Sequence, residues 1–123
     1  MDIDSAIAGE IFADFTRLAS LSLEEGHKDV AAVLASAALE DAMKKLATKN
    51  GITLPNNSGL SHIIDTLKSA RVIGETQAAM LSGMPKLRNA AMHADWQKIN
   101  DPEVRALIAF VEGLIALHFS LKD

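Results

Sequence analysis

The residues best suited to chemistry in this sequence are Arg88, Asn89 and His93, which lie close together in its last third. If this stretch is helical, Asn89 and His93 are four positions apart and share one face, with Arg88 at the edge of that face. A guanidinium binds phosphate oxygens in pairs, an amide orients a hydroxyl, and an imidazole transfers a proton near neutral pH. The trio therefore suits chemistry at a phosphodiester, and that chemistry needs no metal and no cofactor.

Three further residues extend the candidate site. Lys86 adds a cation just before the trio, and Trp96 adds an aromatic ring just after it, on which a nucleic-acid base can stack. An indole in this position is also a common interface or core anchor. Glu40 is an acid on an otherwise apolar predicted helix, so it is a candidate to orient Arg88. Glu40 also has Lys44 four positions later, a favourable order for a helical ion pair that needs no functional role.

A purely structural interpretation of the trio stays open at this point. Arg88 can form an ion pair at a surface or interface, Asn89 can be a polar helix position, and His93 suits the C-terminal end of a helix because of the macrodipole. We interpret His62 as a surface residue and His118 as a core or interface histidine. The spacing of the residues does not decide between the structural and the functional interpretation. The composition and the remainder of the sequence therefore have to be considered.

The composition favours one helical domain spanning residues 1–123. Apolar residues make up 49% of the chain and aromatic residues 4%, and the frequent alanine, leucine and isoleucine suit closely packed helices better than a sheet. There is no apolar run long enough to cross a bilayer, and the acidic first residues do not resemble a secretory signal. We therefore expect a soluble cytoplasmic protein with no membrane association.

Cysteine content and charge narrow the function further. The chain has no cysteine, which excludes disulfides, thiol nucleophiles and zinc fingers. A formal net charge of −4 argues mildly against general nucleic-acid binding, so any contact with RNA has to be local. We find no glycine-rich phosphate loop, no serine-hydrolase or zinc-protease motif and no EF-hand loop. We expect no metal site.

Apolar periodicity predicts an up-down bundle of four to five helices. The predicted bounds of five helices are about Asp4 to Leu23, Lys28 to Asn50, Ser58–Ser61 to Arg71–Gly74, Met84 or Pro85 to His93 or Ala94, and Asp101 onwards, and Glu75 to Ser82 is a further helical piece. We expect the second of these helices to be central because it is rich in alanine, and we expect Asp4 and Asp101 to be N-caps.

The large aliphatic residues predict which faces of the helices are buried. In the first helix the spacing selects a stripe of four residues, Ile7, Ile11, Phe15 and Leu18. The last helix has the clearest amphipathic pattern in the chain, formed by Val104, Leu107, Ile108, Val111, Leu114, Ile115 and Phe119.

From about Val30 to Leu117 the sequence resembles the HEPN superfamily. The features shared are a helical bundle, an alanine-rich second helix with Leu39 followed by Glu40, and an Arg-Asn-x-x-x-His motif in the penultimate helix. The motif consists of an arginine, a polar residue directly after it, and a histidine a few residues later. Arg88, Asn89 and His93 match it, and the position before an Asp-Pro start of the last helix adds to the resemblance.

This resemblance implies a homodimer in which two copies of the motif meet in one cleft, and a metal-independent endoribonuclease acting on RNA. It implies that His93 moves a proton, Arg88 stabilises the charged phosphorane and Asn89 positions the phosphate. Cleavage would leave a 2′,3′-cyclic phosphate. Members of this kind are toxins or RNA-processing and defence components, often with a nucleotidyltransferase-like antitoxin as partner. The alternatives are a non-catalytic HEPN module that binds a protein or nucleotide, and a generic helical adaptor.

Overall fold

Six α-helices and one short 3-10 helix make up the part of the chain that the computed structural model describes, residues 3–119. The helices are α1 (Ile3–Glu24), α2 (Lys28–Lys49), α3 (Leu60–Ser69), α4 (Glu75–Met80), α5 (Met84–Met92) and α6 (Asp101–His118), and the 3-10 helix is Trp96–Lys98. Residues 3–119 contain no strand, so the all-α prediction is confirmed. Five of the helices have nine residues or more, and α4 is a six-residue segment.

The alanine-rich helix α2 is the centre of the bundle, as predicted. It packs against α1, α3, α5 and α6. Its buried face consists mainly of alanine, with larger residues between: Ala31, Ala32, Ala35, Ala38, Leu39, Ala42, Met43, Leu46 and Ala47. Because alanine side chains are short, neighbouring helices approach α2 closely, and the larger residues fill the spaces that remain.

The predicted buried stripe of α1 is wrong. Ile7, Ile11 and Leu18 are 52%, 49% and 52% exposed, and Phe15 is only partly buried. The face that packs on α2 and α6 consists instead of Ser5, Gly9, Phe12, Thr16, Ala19 and Leu23. Small residues on this face allow close helix packing, and the aliphatic residues lie on the opposite side. Periodicity found an apolar face of α1, but it could not show that this face is directed away from the bundle.

The helix ends follow local rules, with two corrections to the predicted caps. Asp4 lies in the first turn of α1 rather than at its N-cap. The N-cap of α6 is Asn100, whose side chain accepts a hydrogen bond from the Glu103 N–H at 3.0 Å, and Asp101 is the first helical residue. Asparagine is among the best N-cap residues, and an acid in the first turn still favours the helix dipole. The N-cap of α6 therefore lies one residue earlier than predicted.

Phe119 closes the bundle at the end of α6. Its ring packs edge-on against Phe12, with 5.4 Å between ring centroids, and Lys49 Nζ lies 5.5 Å from the centre of the same ring. Gly9 of α1 allows this contact, because a Cβ there would lie 2.5 Å from the Phe119 carbonyl oxygen. All seven residues predicted to be buried in the last helix are buried or partly buried.

We predict opposite effects for two glycine-to-alanine substitutions in helices. Gly9→Ala forces α1 and Phe119 apart and should lower the free energy of unfolding by about 1–3 kcal/mol. Gly113→Ala, in the exposed part of α6 with nothing within 4 Å of the added carbon, should raise it by about 1 kcal/mol through helix propensity. Urea denaturation of both variants measures the two changes. Equal stability of the two variants would contradict the close approach at Gly9.

Candidate functional site

The helix α5 places the motif at the edge of α2. Pro85 lies in the first turn of α5, where its missing N–H costs no hydrogen bond. Leu87, Ala90 and Ala91 are buried, and α5 packs on α2. These buried positions fix the rotation of α5. As a consequence Arg88 lies at the boundary between the two helices, while Asn89 is exposed.

The guanidinium of Arg88 is held by the carboxylate of Glu40. Arg88 Nε donates to Glu40 Oε2 at 3.1 Å, and the two side chains are 28% and 16% exposed. A charged hydrogen bond in such a poorly hydrated place is stronger than one at an open surface, because water competes less for either group. The contact joins α5 to α2 across 48 positions of the chain. The structure therefore places the Glu40 carboxylate in direct contact with the Arg88 guanidinium.

Glu40 also contacts a second cation. Lys44 Nζ lies 3.4 Å from Glu40 Oε1, one turn along α2, with its side chain 47% exposed. One carboxylate thus faces two cations, so the local charge of this group of three is +1. Arg88 Nη1 also donates to Asn89 Oδ1 at 3.3 Å, a long contact between neighbouring residues. Arg88, Asn89, Glu40 and Lys44 form one connected polar cluster, which we call the Arg88 cluster.

His93 is the C-cap residue of α5. After it the chain turns at Ala94, which has a left-handed φ of 58°. Asp95 N–H donates to the Ala90 carbonyl at 2.8 Å and Ala94 N–H to the Ala91 carbonyl at 3.3 Å. These are the two bonds of a Schellman cap, in which glycine normally occupies the left-handed position. The strained turn sets where the His93 side chain leaves the helix, and that side chain is exposed.

The structure does not join His93 to the Arg88 cluster. Within residues 3–119, the His93 imidazole has no hydrogen-bond or ion-pair partner. A general base is normally oriented by a second group on its other ring nitrogen, so one copy of the chain supplies an imidazole without that orientation. The Arg88 side chain is held by a residue of its own chain, whereas the His93 side chain is exposed to solvent.

Lys86, which the sequence predicts to bind substrate, lies beside one depression next to α5. Lys86 and Lys98 line it together with Leu87, Ala90 and Glu103. Lys98 Nζ is also 3.9 Å from an Asp95 carboxylate oxygen, an exposed contact that contributes little energy. The sequence predicted no role for Lys98. The signal for Lys98 was its place in the same basic group of the sequence.

Trp96 begins the 3-10 helix that follows the motif. Its side chain is 37% exposed, so part of the indole surface is open to a stacking partner and the remainder contacts the protein. The segment is tied down just beyond it, where Lys28 Nζ donates to the Ile99 carbonyl at 2.8 Å. The sequence predicted an irregular connection here. The short helix and the Lys28 contact make it an ordered one.

His118 belongs to a different part of the molecule. It lies at the end of α6, half-buried, and its Nε2 is buried without a hydrogen-bond partner among the described residues. Its carbonyl accepts a hydrogen bond from Lys49 Nζ. Burial lowers the pKa of the His118 imidazole from its ordinary value, and the nearby charge of Lys49 lowers it further. The histidine is part of the packed end of the bundle, as predicted, and not of the Arg88 cluster.

No helix within residues 3–119 is both long enough and apolar enough to cross a membrane. Across the same residues, no group of three or more histidine, aspartate or glutamate side chains is arranged to hold a metal ion.

Comparison with known proteins places the chain in one family. Residues 18–123 match the family described as a domain of unknown function, DUF4145, so the chain belongs to that family. The match includes α2 to α6 and with them every residue of the Arg88 cluster, His93 and Trp96. No curated protein and no solved structure matches the chain.

We predict that the Arg88–Glu40 contact stabilises the fold. Arg88→Ala should lower the free energy of unfolding by about 1–3 kcal/mol, because it leaves a poorly hydrated carboxylate with one exposed partner. A double-mutant cycle of Arg88→Ala and Glu40→Ala, measured by urea denaturation, should give a coupling of about 1 kcal/mol or more. The matched cycle with Lys44→Ala should give about 0.5 kcal/mol or less. Equal couplings would show that Arg88 is no better anchored than Lys44.

We predict that His118 makes stability depend on pH. Its pKa is lower in the folded protein than in the unfolded chain, so between the two values the unfolded chain binds more protons. The free energy of unfolding should therefore be highest above about pH 6.5 and should fall as the pH decreases through and below that value. His118→Gln should flatten this part of the pH profile, whereas His62→Gln, at an exposed position in α3, should leave it unchanged.

Proposed function

We propose that this protein is a HEPN-type, metal-independent endoribonuclease that acts as a homodimer, with a composite cleft containing Arg88 and His93 from both copies. The observation that carries the proposal is the Arg88–Glu40 contact, which holds a guanidinium in place at the protein surface. The proposal is supported by the motif and by the lysines around it. It includes a cytoplasmic location and an RNA substrate.

The anchored guanidinium retains most of its binding capacity. A guanidinium has five N–H donors, and Arg88 uses one on Glu40 and one on Asn89, so about three remain for a ligand. Because Glu40 fixes Nε, the terminal nitrogens face a defined direction before any substrate arrives. Donors that are already oriented stabilise developing charge without a further ordering cost. A pentavalent phosphorane, with its extra negative charge, suits such a group.

The exposed His93 fits a site completed by a second copy. In the proposed reaction the ribose 2′-oxygen attacks the adjacent phosphorus and the bond from phosphorus to the 5′-oxygen breaks. One imidazole takes the 2′-hydroxyl proton or gives a proton to the leaving 5′-oxygen, and the His93 of the other copy serves the opposite step. The products are a 2′,3′-cyclic phosphate and a 5′-hydroxyl. The reaction written in this way needs no oxidant, cofactor or metal.

The local charge supports an RNA contact despite the net charge of −4. The Arg88 cluster carries +1. Lys86 and Lys98 lie around a depression that Glu103 also lines, and Asp95 lies 3.9 Å from Lys98, so the net positive charge comes from the Arg88 cluster. Two copies facing each other would double this charge within one cleft, while the remaining acidic surface would disfavour nonspecific binding. Trp96 offers an exposed ring for base stacking near the same helix. A nucleotidyltransferase-like antitoxin would be the partner that covers this cleft.

The same contact also favours a second candidate, a non-catalytic HEPN module that binds a protein or nucleotide. Arg88 joins α5 to α2, a structural task that needs no reaction. In that case the guanidinium orders the binding surface, and His93 contributes a hydrogen bond to the ligand. The two candidates differ in what happens when His93 is removed, because binding does not require proton transfer.

We predict metal-independent RNA cleavage by the purified protein in EDTA. The products should carry 2′,3′-cyclic phosphates, and His93→Ala should reduce the rate by about 100-fold or more, since it removes the proton-transfer group. His62→Ala is the matched control, because this histidine is also exposed but lies on α3. End-group analysis of the fragments identifies the chemistry.

The fold of each variant has to be checked by circular dichroism and its oligomeric state by sedimentation. Cleavage that persists in His93→Ala, or that requires a divalent metal, would contradict the assignment. No cleavage by a folded dimer, together with tight nucleotide or protein binding, would favour the non-catalytic module.

A further inference from the structure

The outer face of α1 is an exposed aliphatic stripe. Ile3, Ile7, Ile11, Leu18 and Leu21 are 73%, 52%, 49%, 52% and 51% exposed. At about 100° per residue they lie opposite the buried face of the same helix. Single exposed aliphatic residues are common, but five along one face of a helix form a patch on the order of 500 Å². A patch of this size usually marks an interaction surface. We name these five residues the α1 stripe.

We infer that the α1 stripe is a self-association surface on which α1 of a second copy packs in antiparallel orientation. This inference does not depend on the proposed nuclease. It adds an interface to the cleft proposed above, because α1 packs on α2 and α6, whereas α5 packs on α2 and the 3-10 helix. The stripe is directed away from α2, so its pairing does not bring two copies of α5 together.

The spacing along α1 fits a helix partner. Positions 4, 7, 11, 14, 18 and 21 alternate in steps of three and four, which is the seam on which two helices pack side by side. Four of them carry isoleucine or leucine. The other two are Asp4 and Asp14, and the Asp14 carboxylate lies 2.6 Å from Arg17 Nη1 of the same helix. The seam is therefore apolar with a neutralised acid in its middle.

Charge selects a second copy and its direction. In the antiparallel register that places Ile7 opposite Leu18 of the other copy, Glu10 lies across from Arg17 of the other copy on the edge of the seam. Two-fold symmetry forms this contact twice. A parallel pair would instead place Asp14 against Asp14 in the seam, and Glu10 and Arg17 would lie across from uncharged residues of the other copy, Phe15 and Ser22. The edge charges therefore attract each other in the antiparallel orientation and not in the parallel one.

The area suits a reversible dimer. Two stripes would together remove about 1,000 Å² of apolar surface from water, near the lower limit for a specific interface. The family match begins at Leu18, so Ile3, Ile7 and Ile11 lie before the region that defines the family. The family match therefore does not bear on these three positions.

Charge reversal tests the pairing without disturbing the fold, since Glu10 and Arg17 are exposed. By sedimentation velocity over a range of protein concentrations, Glu10→Arg and Arg17→Glu should each weaken self-association by about tenfold. The double variant should restore it, because the two charges exchange places. Asp65→Arg, an exposed reversal on α3, is the control that should change nothing.

A second pair of variants tests the contribution of the aliphatic side chains to self-association. Ile11→Lys should abolish the association through α1 and leave only a dimer of the proposed cleft, whereas Met80→Lys, at a similarly exposed position on α4, should preserve the association through α1. Because the chain has no cysteine, single spin labels can be placed at will. An antiparallel pair should bring labels at Asp14→Cys close together and keep labels at Glu24→Cys roughly 35 Å apart.

Three results would overturn the inference. These are a monomer at every concentration, self-association that Ile11→Lys and both charge reversals leave unchanged in strength and in order, and a stripe that binds a different protein but never itself. A dimer that is lost only when residues of α5 are changed would belong to the proposed cleft instead. Absence of RNA cleavage would leave the α1 result unaffected, because the two experiments measure different surfaces.

Discussion

Close packing on the alanine face of α2 is the constraint on which the remainder of the structure depends. Short side chains bring the neighbouring helices near to the α2 backbone, and this nearness gives Glu40 its position. Glu40 lies beside the packed face, sheltered enough to be 16% exposed and close enough to contact Arg88 on α5. A wider spacing between α2 and α5 would leave both groups in water. The candidate site is therefore a consequence of helix packing as much as of its own residues.

The sequence predicted some parts of the fold well for a physical reason. The last helix has most of its large aliphatic residues on one face, with Leu117 as the exposed exception, so periodicity identified most of its core. In α1 both faces carry apolar or small residues, and the prediction selected the face with the larger side chains. In the folded chain the buried face is the one with Gly9 and Ala19. Small side chains let neighbouring helices approach α1 closely, and a close approach gives more van der Waals contacts than large side chains give between more distant helices. Which of two apolar faces is buried depends on tertiary neighbours, which a periodic pattern does not contain.

The candidate site shows a similar division. The trio of Arg88, Asn89 and His93 was recognisable from side-chain chemistry, and the contact with Glu40 was anticipated as an orienting partner. Its 3.1 Å distance depends on the rotation of α5 against α2, which Leu87 and Ala90 set by their burial. The left-handed turn at Ala94 left no signal, since alanine is not the residue expected there. The role of Lys98 depended on a depression that only the folded chain forms.

The contact between Gly9 and Phe119 has a consequence for how the chain is made. It joins the first helix to the last described residue, so about 110 residues must be synthesised between the two partners. On a ribosome α1 emerges before α6 and can pack on α2, but the groove that α6 fills stays open until α6 itself has been synthesised. Folding of this bundle thus combines fast local helix formation with one late, long-range closure. Truncation near the C-terminus would leave a nascent chain with its first helix only half covered.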